Sequence, residues 1–224
     1  MAYARSSLLI WGSGGYGRAI AELATAAGHH VLGLIGDDDA PSAMVGVPSV
    51  MSEEELHHWL SDDSSLPVCI DVIAAAAASN GVRLDQAHRL GGLLTPPLIH
   101  PDAVVSPSAS LENGAIVKAL AEIAAGATIG RAAVIGTGSV VGPDTLVQDG
   151  ASLGAHVVLE MGACIGERAH IGAGAIVLPH VRIGADVIVG AGAVVQADLP
   201  AGAGTVPPAR MIMDRAPSGC LEES

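Results

Sequence analysis

The glycines near the N-terminus have the spacing of a phosphate-binding turn. Gly12, Gly14 and Gly17 match the pattern G-x-G-x-x-G. In that pattern the glycines allow a tight turn and let backbone N–H groups approach a phosphate at the start of the following helix. Asp37 lies about 20 residues further on, where a carboxylate accepts a hydrogen bond from a ribose hydroxyl. The residues predicted to bind a nucleotide are Gly12, Ser13, Gly14, Gly15, Tyr16, Gly17 and Asp37.

The segments around these glycines predict a βαβ unit. An apolar strand, SSLLIW, leads into the turn, an amphipathic helix follows, and a second strand ends in the acidic residues of GDDD. A dinucleotide fold needs two such halves, whereas the strand and helix patterns end near Leu98. One nucleotide is therefore favoured over NAD. The alternative is that the glycines only tighten the strand-to-helix turn.

A six-residue repeat begins at Val105. An aliphatic residue stands at every sixth position from Val105 to Val195, sixteen times without a gap. Four positions after each of these stands Ala, Ser, Thr or Val, and Leu after the last. Hexapeptide repeats of this kind build a parallel β-helix in which three short strands form a triangular coil of about 18 residues. Sixteen repeats predict about five coils, each rising by roughly 4.8 Å.

Residues 18 positions apart stack on the same wall of such a helix, and this places the candidate catalytic side chains. His170 lies one coil after Ser152, and His180 lies two coils after Asp144, about 10 Å away. An imidazole can take a proton from an attacking amine or hydroxyl, whereas the carboxylate of Asp144 is a weak base for an ammonium ion near neutral pH. The alternative for each histidine is a structural place at a corner or an interface.

Composition excludes some partners. The formal net charge is -13 with a single lysine, Lys118, which argues against nucleic acid and against an anionic membrane surface. Cys69, Cys164 and Cys220 are scattered without metal-ligand spacing, as expected for reduced thiols. No apolar run is long enough for a signal peptide or a membrane span. We therefore expect a cytoplasmic location.

The βαβ segment with GSGGYG, the junction LIHPDAVVSPSA, the hexapeptide repeats and the ending IGAGAIVLPHVRIGADVIVGAGAVVQADLPAGAGTVPPARMI occur together in this chain. This combination resembles the bacterial sialic-acid O-acetyltransferases and the UDP-4-amino-sugar or perosamine N-acetyltransferases. The resemblance implies a Rossmann-like sugar-nucleotide domain over residues 1–97, a left-handed β-helix over residues 98–206 and a tail over residues 207–224. It also implies a homotrimer with acetyl-CoA between neighbouring β-helices.

The resemblance also implies where the catalytic residues belong. The family's base, a histidine followed by an acid, falls on Pro143 and Asp144, and an asparagine one repeat earlier falls on Gly136. A second family histidine, near the thioester, falls on Ser152. The chain therefore keeps the scaffold and lacks the family base. We expect an acyl-CoA-dependent acyltransferase acting on an amine or hydroxyl of a nucleotide-linked sugar, with Asp144, His170 and His180 as catalytic candidates.

By the same resemblance, backbone amides at Met161, Ala173 and Ala191 line the path of the CoA pantetheine arm. Arg210 could meet a CoA phosphate, or it could be a solvated tail residue. Two other functions stay open. One is a catalytically inactive subunit that binds a sugar nucleotide or acyl-CoA for a partner enzyme. The other is a zinc site of the γ-carbonic anhydrase type, which needs three imidazoles; this is disfavoured because Met161 stands where a second ligand is needed, so no metal is expected.

Overall fold

The N-terminal region of the chain is a small α/β unit. The computed structural model describes residues 7–11, 15–35, 68–70, 77–90 and 94–203. The elements of the unit are β1 (Ser7–Trp11), α1 (Gly15–Ala26), β2 (His30–Ile35), β3 (Val68–Ile70) and α2 (Ala77–Leu90). The three strands pair in parallel in the order β2-β1-β3, so the predicted βαβ unit is present.

The sequence of α1 explains how it packs and where it ends. Ile20, Leu23 and Ala24 lie on one buried face at helical spacing. At the C-terminus Gly28 adopts a φ of 85°. The N–H of Gly28 donates to the carbonyl of Thr25 and that of His29 to the carbonyl of Ala24, which are the two bonds of a Schellman cap. The helix therefore ends where glycine allows the chain to reverse into β2.

From residue 98 onward the chain forms a parallel β-helix of two-residue strands, and its three sheets form three walls. Wall 1 consists of β4 (Leu98–Ile99), β7 (Ile116–Val117), β10 (Val134–Ile135), β13 (Ser152–Leu153), β16 (His170–Ile171) and β19 (Ile188–Val189). Wall 2 consists of β5 (Val104–Val105), β8 (Glu122–Ile123), β11 (Val140–Val141), β14 (Val158–Leu159), β17 (Ile176–Val177) and β20 (Val194–Val195). Wall 3 consists of β6 (Ser110–Leu111), β9 (Thr128–Ile129), β12 (Leu146–Val147), β15 (Cys164–Ile165) and β18 (Arg182–Ile183).

The interior of the β-helix is filled by the two positions that the repeat predicted. The second residue of each strand points inward, as with Ile135 and Val141, and the small residue four positions later fills the corner. Polar corner residues are also satisfied: the buried Ser139 Oγ donates to the Gly154 carbonyl at 2.8 Å and accepts from the Val157 N–H at 3.1 Å. The six-residue pattern therefore follows from close packing of a narrow triangular core.

The corners of the β-helix require a residue with positive φ once in every six. Many of these residues are glycines, and others are Asp144, His156 and His180, with φ values of 54°, 56° and 61°. Asp and His adopt this left-handed conformation more readily than most residues. These side chains therefore have a structural reason to stand at corners, independent of any chemistry.

The N-terminal unit packs on wall 1. Leu98, Ile116 and Val134 point outward from this wall and share one buried cluster with Ile10 and Ile20. Helix α2 covers the next part of the same wall and the corner that precedes it. The buried Arg83 donates from Nε to the Ala132 carbonyl at 2.9 Å and from Nη2 to the Gly150 carbonyl at 2.5 Å. Wall 1 is therefore the surface on which the two units meet.

Candidate active site

The three catalytic candidates lie in two separate places. Asp144 and His180 stand at the corner between walls 2 and 3, whereas His170 begins a strand of wall 1. Because each coil runs through wall 1, wall 2 and wall 3 in turn, the corner between walls 2 and 3 lies opposite wall 1. One chain by itself does not bring His170 to Asp144 or His180.

Four residues lie at the corner between walls 2 and 3 on three successive coils: Pro143 and Asp144, then Met161, then His180. The Gly162 N–H donates to the Pro143 carbonyl at 2.9 Å, and the His180 N–H donates to the Met161 carbonyl at 3.0 Å. Pro143 and Asp144 are exposed, and Met161 is 47% exposed. This corner is an open, partly apolar edge.

Asp144 and His180 share this corner without forming a pair. A Cβ placed on Gly126 would collide with the Asp144 carboxylate, and one on Gly162 would collide with the His180 imidazole. Each side chain therefore lies over the glycine one coil before it, so the Asp144 carboxylate points away from the coil of His180. No hydrogen bond joins the two side chains in the described part of the chain. As it stands, the arrangement does not form the acid-imidazole pair that a general base uses.

The second place is a buried polar network on wall 1. The Ser152 Oγ lies 2.9 Å from the His170 Nδ1 and 2.9 Å from the Nδ2 of Asn80 on α2. Ser152 is 4% exposed and Asn80 is 2% exposed. The predicted stacking of Ser152 and His170 is present, and their strands pair in register. Burial, with a smaller effect of the nearby Arg83 charge, lowers the pKa of His170, so its imidazole is neutral near pH 7.

Asn80 and Arg83 were missed by the sequence analysis. Their partners, among them Gly150, Ser152 and Ala169, lie about 50 to 90 positions further along the chain. A polar pair three positions apart on a short helix is common on solvated faces, so nothing local marks it as buried. Only the packing of α2 on wall 1 reveals the role of these two side chains.

The nucleotide-binding prediction is partly within the described residues. Gly12, Ser13, Gly14 and Asp37 lie outside them, and Gly15, Tyr16 and Gly17 form the first turn of α1. The half-exposed Tyr16 ring lies under Lys118, whose Nζ is 5.8 Å from the ring centroid. This distance fits a cation–π contact. Lys118, the single lysine of an acidic chain, therefore lies close to the glycine-rich segment.

The residues predicted to contact CoA also divide between two corners. Met161 belongs to the corner between walls 2 and 3, whereas Ala173 and Ala191 stack 18 residues apart at the corner between walls 1 and 2. All three are exposed, and their N–H groups donate no hydrogen bond among the described residues. Arg210 lies outside the described residues. The free amides suit a ligand that is bound through the backbone, but one chain does not join the two corners into one path.

Neither a metal centre nor a membrane-spanning helix is found in the described ranges. Within residues 7–11, 15–35, 68–70, 77–90 and 94–203, no three His, Cys, Asp or Glu side chains converge on a point that could hold a metal ion. Among the helices described, none is long and apolar enough to cross a membrane.

Two family models match this chain. The model of the PglD N-terminal domain matches residues 7–90, and that of the bacterial transferase hexapeptide (six repeats) matches residues 162–197. A comparison with curated protein sequences gave no significant match.

Two solved acetyltransferases overlap the chain along nearly its full length. Perosamine N-acetyltransferase from Caulobacter crescentus, a histidine-to-asparagine variant in complex with CoA and GDP-perosamine, is 35% identical with a TM-score of 0.78, and the match covers 90% of this chain and 92% of that one. The acetyltransferase domain of PglB from Neisseria gonorrhoeae FA1090, in complex with acetyl coenzyme A, is 31% identical with a TM-score of 0.80, covering 92% and 99%. This chain belongs to the PglD-like hexapeptide acetyltransferases.

Membership of the PglD-like family confirms the resemblance drawn from GSGGYG, the junction and the repeats. It also confirms the fold class, a Rossmann-like α/β region followed by a left-handed parallel β-helix, and an acetyltransferase as the class of enzyme. Within this PglD-like chain, Pro143 occupies an exposed corner where the sequence comparison placed the family base. That the family base is missing from this chain, and which residue acts in its place, stay predictions.

Proposed function

We propose that this acetyltransferase moves the acetyl group of acetyl-CoA to an amine or hydroxyl of a nucleotide-linked sugar at an active site that lacks the family histidine. The observation that carries the proposal is the overlap with perosamine N-acetyltransferase over 90% of the chain, which spans both the N-terminal unit and the β-helix. Tyr16 and Lys118, close to the glycine-rich segment, supply an aromatic surface and a cation suited to a nucleotide diphosphate.

The active site is proposed to form between chains of a homotrimer. Asp144 and His180 lie on the opposite side of the β-helix from His170, and Met161 lies at a different corner from Ala173. Closed rotational symmetry brings one side of each subunit against another side of its neighbour. Such packing joins the separated groups into three equivalent sites.

The outward face of wall 2 supports this assembly. Its outward positions are apolar except at Glu122: Val104 is 67% exposed, Val194 is 49% exposed, and Val140, Val158 and Ile176 are half-buried. An apolar strip of this kind, interrupted at Glu122, favours contact with another protein surface.

The reaction needs a nucleophile and a proton acceptor. The sugar amine or hydroxyl attacks the thioester carbon, a tetrahedral oxyanion forms, the C–S bond breaks, and CoA leaves as the thiolate. The proton released from the nucleophile passes to a base. An amine that arrives neutral needs little help to attack, because positioning supplies much of the rate. His180 is the proposed acceptor at the exposed corner, where it acts without the Asp144 carboxylate, which lies two coils earlier and points away from it.

A second candidate function rests on the proline at position 143. A chain that kept the fold and lost the base could bind a sugar nucleotide or acyl-CoA for a partner enzyme without turnover. Removal of a general base typically slows a reaction by about 10² to 10⁴-fold.

The deciding experiment measures free thiol released from acetyl-CoA in the presence of a panel of amino-sugar and hydroxy-sugar nucleotides. Turnover above the hydrolysis background supports the enzyme. Calorimetric binding of acetyl-CoA and of a sugar nucleotide, without thiol release for any acceptor, would instead support the binding subunit.

A further inference from the structure

Helix α2 of the N-terminal unit reaches a histidine of the β-helix through one serine. Asn80 Nδ2 lies 3.0 Å from the Arg168 carbonyl oxygen and 3.1 Å from that of Ala169, in addition to its contact with Ser152. Carbonyl oxygens only accept hydrogen bonds, so this end of the Asn80 side chain must be the NH₂ group. Ser152 Oγ therefore accepts a hydrogen bond from Asn80.

Counting hydrogen-bond donors and acceptors at Ser152 also assigns the proton on His170. The Ser152 hydroxyl has one hydrogen to donate, and the His170 Nδ1, 2.9 Å away, is its acceptor among the described residues. Because Ser152 is buried, leaving that hydrogen without an acceptor is unfavourable. Nδ1 is then the unprotonated nitrogen, and the neutral ring carries its hydrogen on Nε2.

The surrounding charges agree with a neutral ring. Burial lowers the pKa of His170, and the positive charge of Arg83, on the same face of α2 as Asn80, lowers it further. Two residues before His170, Arg168 binds Asp186 through two bonds of 2.7 Å and also contacts Glu167, and Asp85 of α2 acts on Arg168 electrostatically. Protonation of Nδ1 would also break the Ser152 donor bond.

We propose that Asn80 and Ser152 are positioning residues that hold His170 as its Nε2–H tautomer, so that His170 donates a hydrogen bond to the carbonyl oxygen of the thioester during acetyl transfer. This rests on the function proposed above. His170 is half-buried on wall 1, the wall on which the N-terminal unit packs. A neutral donor at this place stabilises the oxyanion of the tetrahedral intermediate and leaves the proton of the nucleophile to another group.

Two substitutions at His170 separate a donor from a base. His170→Gln keeps an N–H donor near the position of Nε2 and cannot act as a base, whereas His170→Asn places its amide nearer to Nδ1. We expect kcat of His170→Gln to stay within about tenfold of the wild type and that of His170→Asn to fall by about 10² to 10³, the usual loss for one oxyanion donor. Equal loss in both variants would mean that His170 is not the donor.

The positioning residues are tested through Ser152. Ser152→Ala should lower kcat roughly tenfold without changing KM for acetyl-CoA, Ser152→Thr should restore it, and Ser152→Ala should have little effect in the His170→Gln background. Ser139→Ala is the matched control, because it removes another buried serine hydroxyl, one that among the described residues bonds only the backbone of Gly154 and Val157. A loss of kcat in Ser139→Ala equal to that in Ser152→Ala would overturn the positioning role.

Nitrogen-15 NMR of the His170 ring provides a readout that does not depend on turnover. At pH 7 the full-length wild type should show a protonated Nε2 and an unprotonated Nδ1, and Ser152→Ala should show a mixture of tautomers. A protonated Nδ1 in the wild type refutes the tautomer assignment. Absence of acetyl transfer by the wild type with every acceptor, together with the expected spectrum, refutes the proposed function and the donor role and leaves the tautomer assignment standing.

Discussion

At the scale of single residues, Pro143 has a sound structural role. It precedes Asp144, which has a φ of 54°, and the ring of proline fixes φ near -65°, as the second position of such a turn requires. Its exposed position also leaves room for a larger side chain. The corner therefore accepts proline for stability, at the position where the resemblance places the family base.

Pro143→His should restore a base at this corner. We expect kcat for acetyl transfer to rise by about 10² to 10⁴-fold if the rest of the active site is intact, because that is the usual contribution of a general base. Ala125→His is the matched control, since Ala125 is exposed at the same corner one coil earlier. A comparable gain in both variants, measured by thiol release, would show that any imidazole on this edge suffices.

The pH dependence of stability should report the buried His170. Because its folded pKa lies below the unfolded value of 6.5, the unfolded chain binds the proton more tightly. The contribution of the neutral His170 to the free energy of unfolding is therefore fully present above about pH 6.5, and it decreases as the pH falls below that value. Denaturant unfolding between pH 5 and 8 should show this decrease in the wild type and a smaller one in His170→Phe. Identical curves for the two proteins would contradict the pKa shift.

At the scale of elements, glycines and side chains alternate up the corner between walls 2 and 3, as Gly126, Asp144, Gly162 and His180. His180 lies over Gly162, and a Cβ on Gly162 would collide with its imidazole. Gly174 has nearly the same φ, 68° against 67°, with nothing within 4 Å of an added Cβ. A comparison of alanine substitutions at the two glycines therefore separates the cost of backbone strain from the cost of a side-chain collision.

Gly162→Ala and Gly174→Ala should differ in stability and in activity. Each pays the cost of a left-handed alanine, about 1 to 2 kcal/mol, and Gly162→Ala must also displace the His180 ring. We expect a larger loss of unfolding free energy in Gly162→Ala, and a drop in kcat that Gly174→Ala does not share if His180 accepts the proton. Equal destabilisation of the two variants would mean that the ring moves aside at no cost.

At the scale of the whole molecule, the N-terminal unit and the β-helix have different roles in the proposed active site. The N-terminal unit packs on wall 1, and its helix α2 bonds Ser152, the hydrogen-bond partner of His170, whereas Asp144 and His180 stand on the opposite corner. In the proposed function, a complete acetyl-transfer site forms only when chains assemble, and the apolar strip on wall 2 is the proposed contact surface.

Val158→Glu on wall 2 should break the proposed trimer. A charge buried in an apolar interface without a partner is strongly unfavourable, so light scattering coupled to size exclusion should give the monomer mass, and acetyl transfer should be lost with it. Val158→Ile, which keeps this half-buried outward position apolar, is the control that should stay trimeric. A trimer in Val158→Glu would place the interface elsewhere.

The sequence by itself determined the β-helix, its inward residues and the family. A repeat such as that from Val105 to Val195 leaves few ways to close a triangular core, because each turn of the coil buries the same positions. It also determined that Ser152 and His170 stack, since register follows from counting 18 residues. The glycine-rich turn likewise predicted the start of α1, whose first turn contains Gly15, Tyr16 and Gly17.

Only the tertiary structure decided which of these residues meet. Asn80 reaches Ser152 across 72 positions of chain, and the Arg83 charge that adds to the effect of burial on the pKa of His170 also comes from α2. The repeat gave Asp144 and His180 one corner, but whether their side chains touch depends on the left-handed corner conformation, which lays each over the preceding glycine. Hydrogen-bond direction and burial arise from contacts distant in sequence, and a local pattern does not contain them.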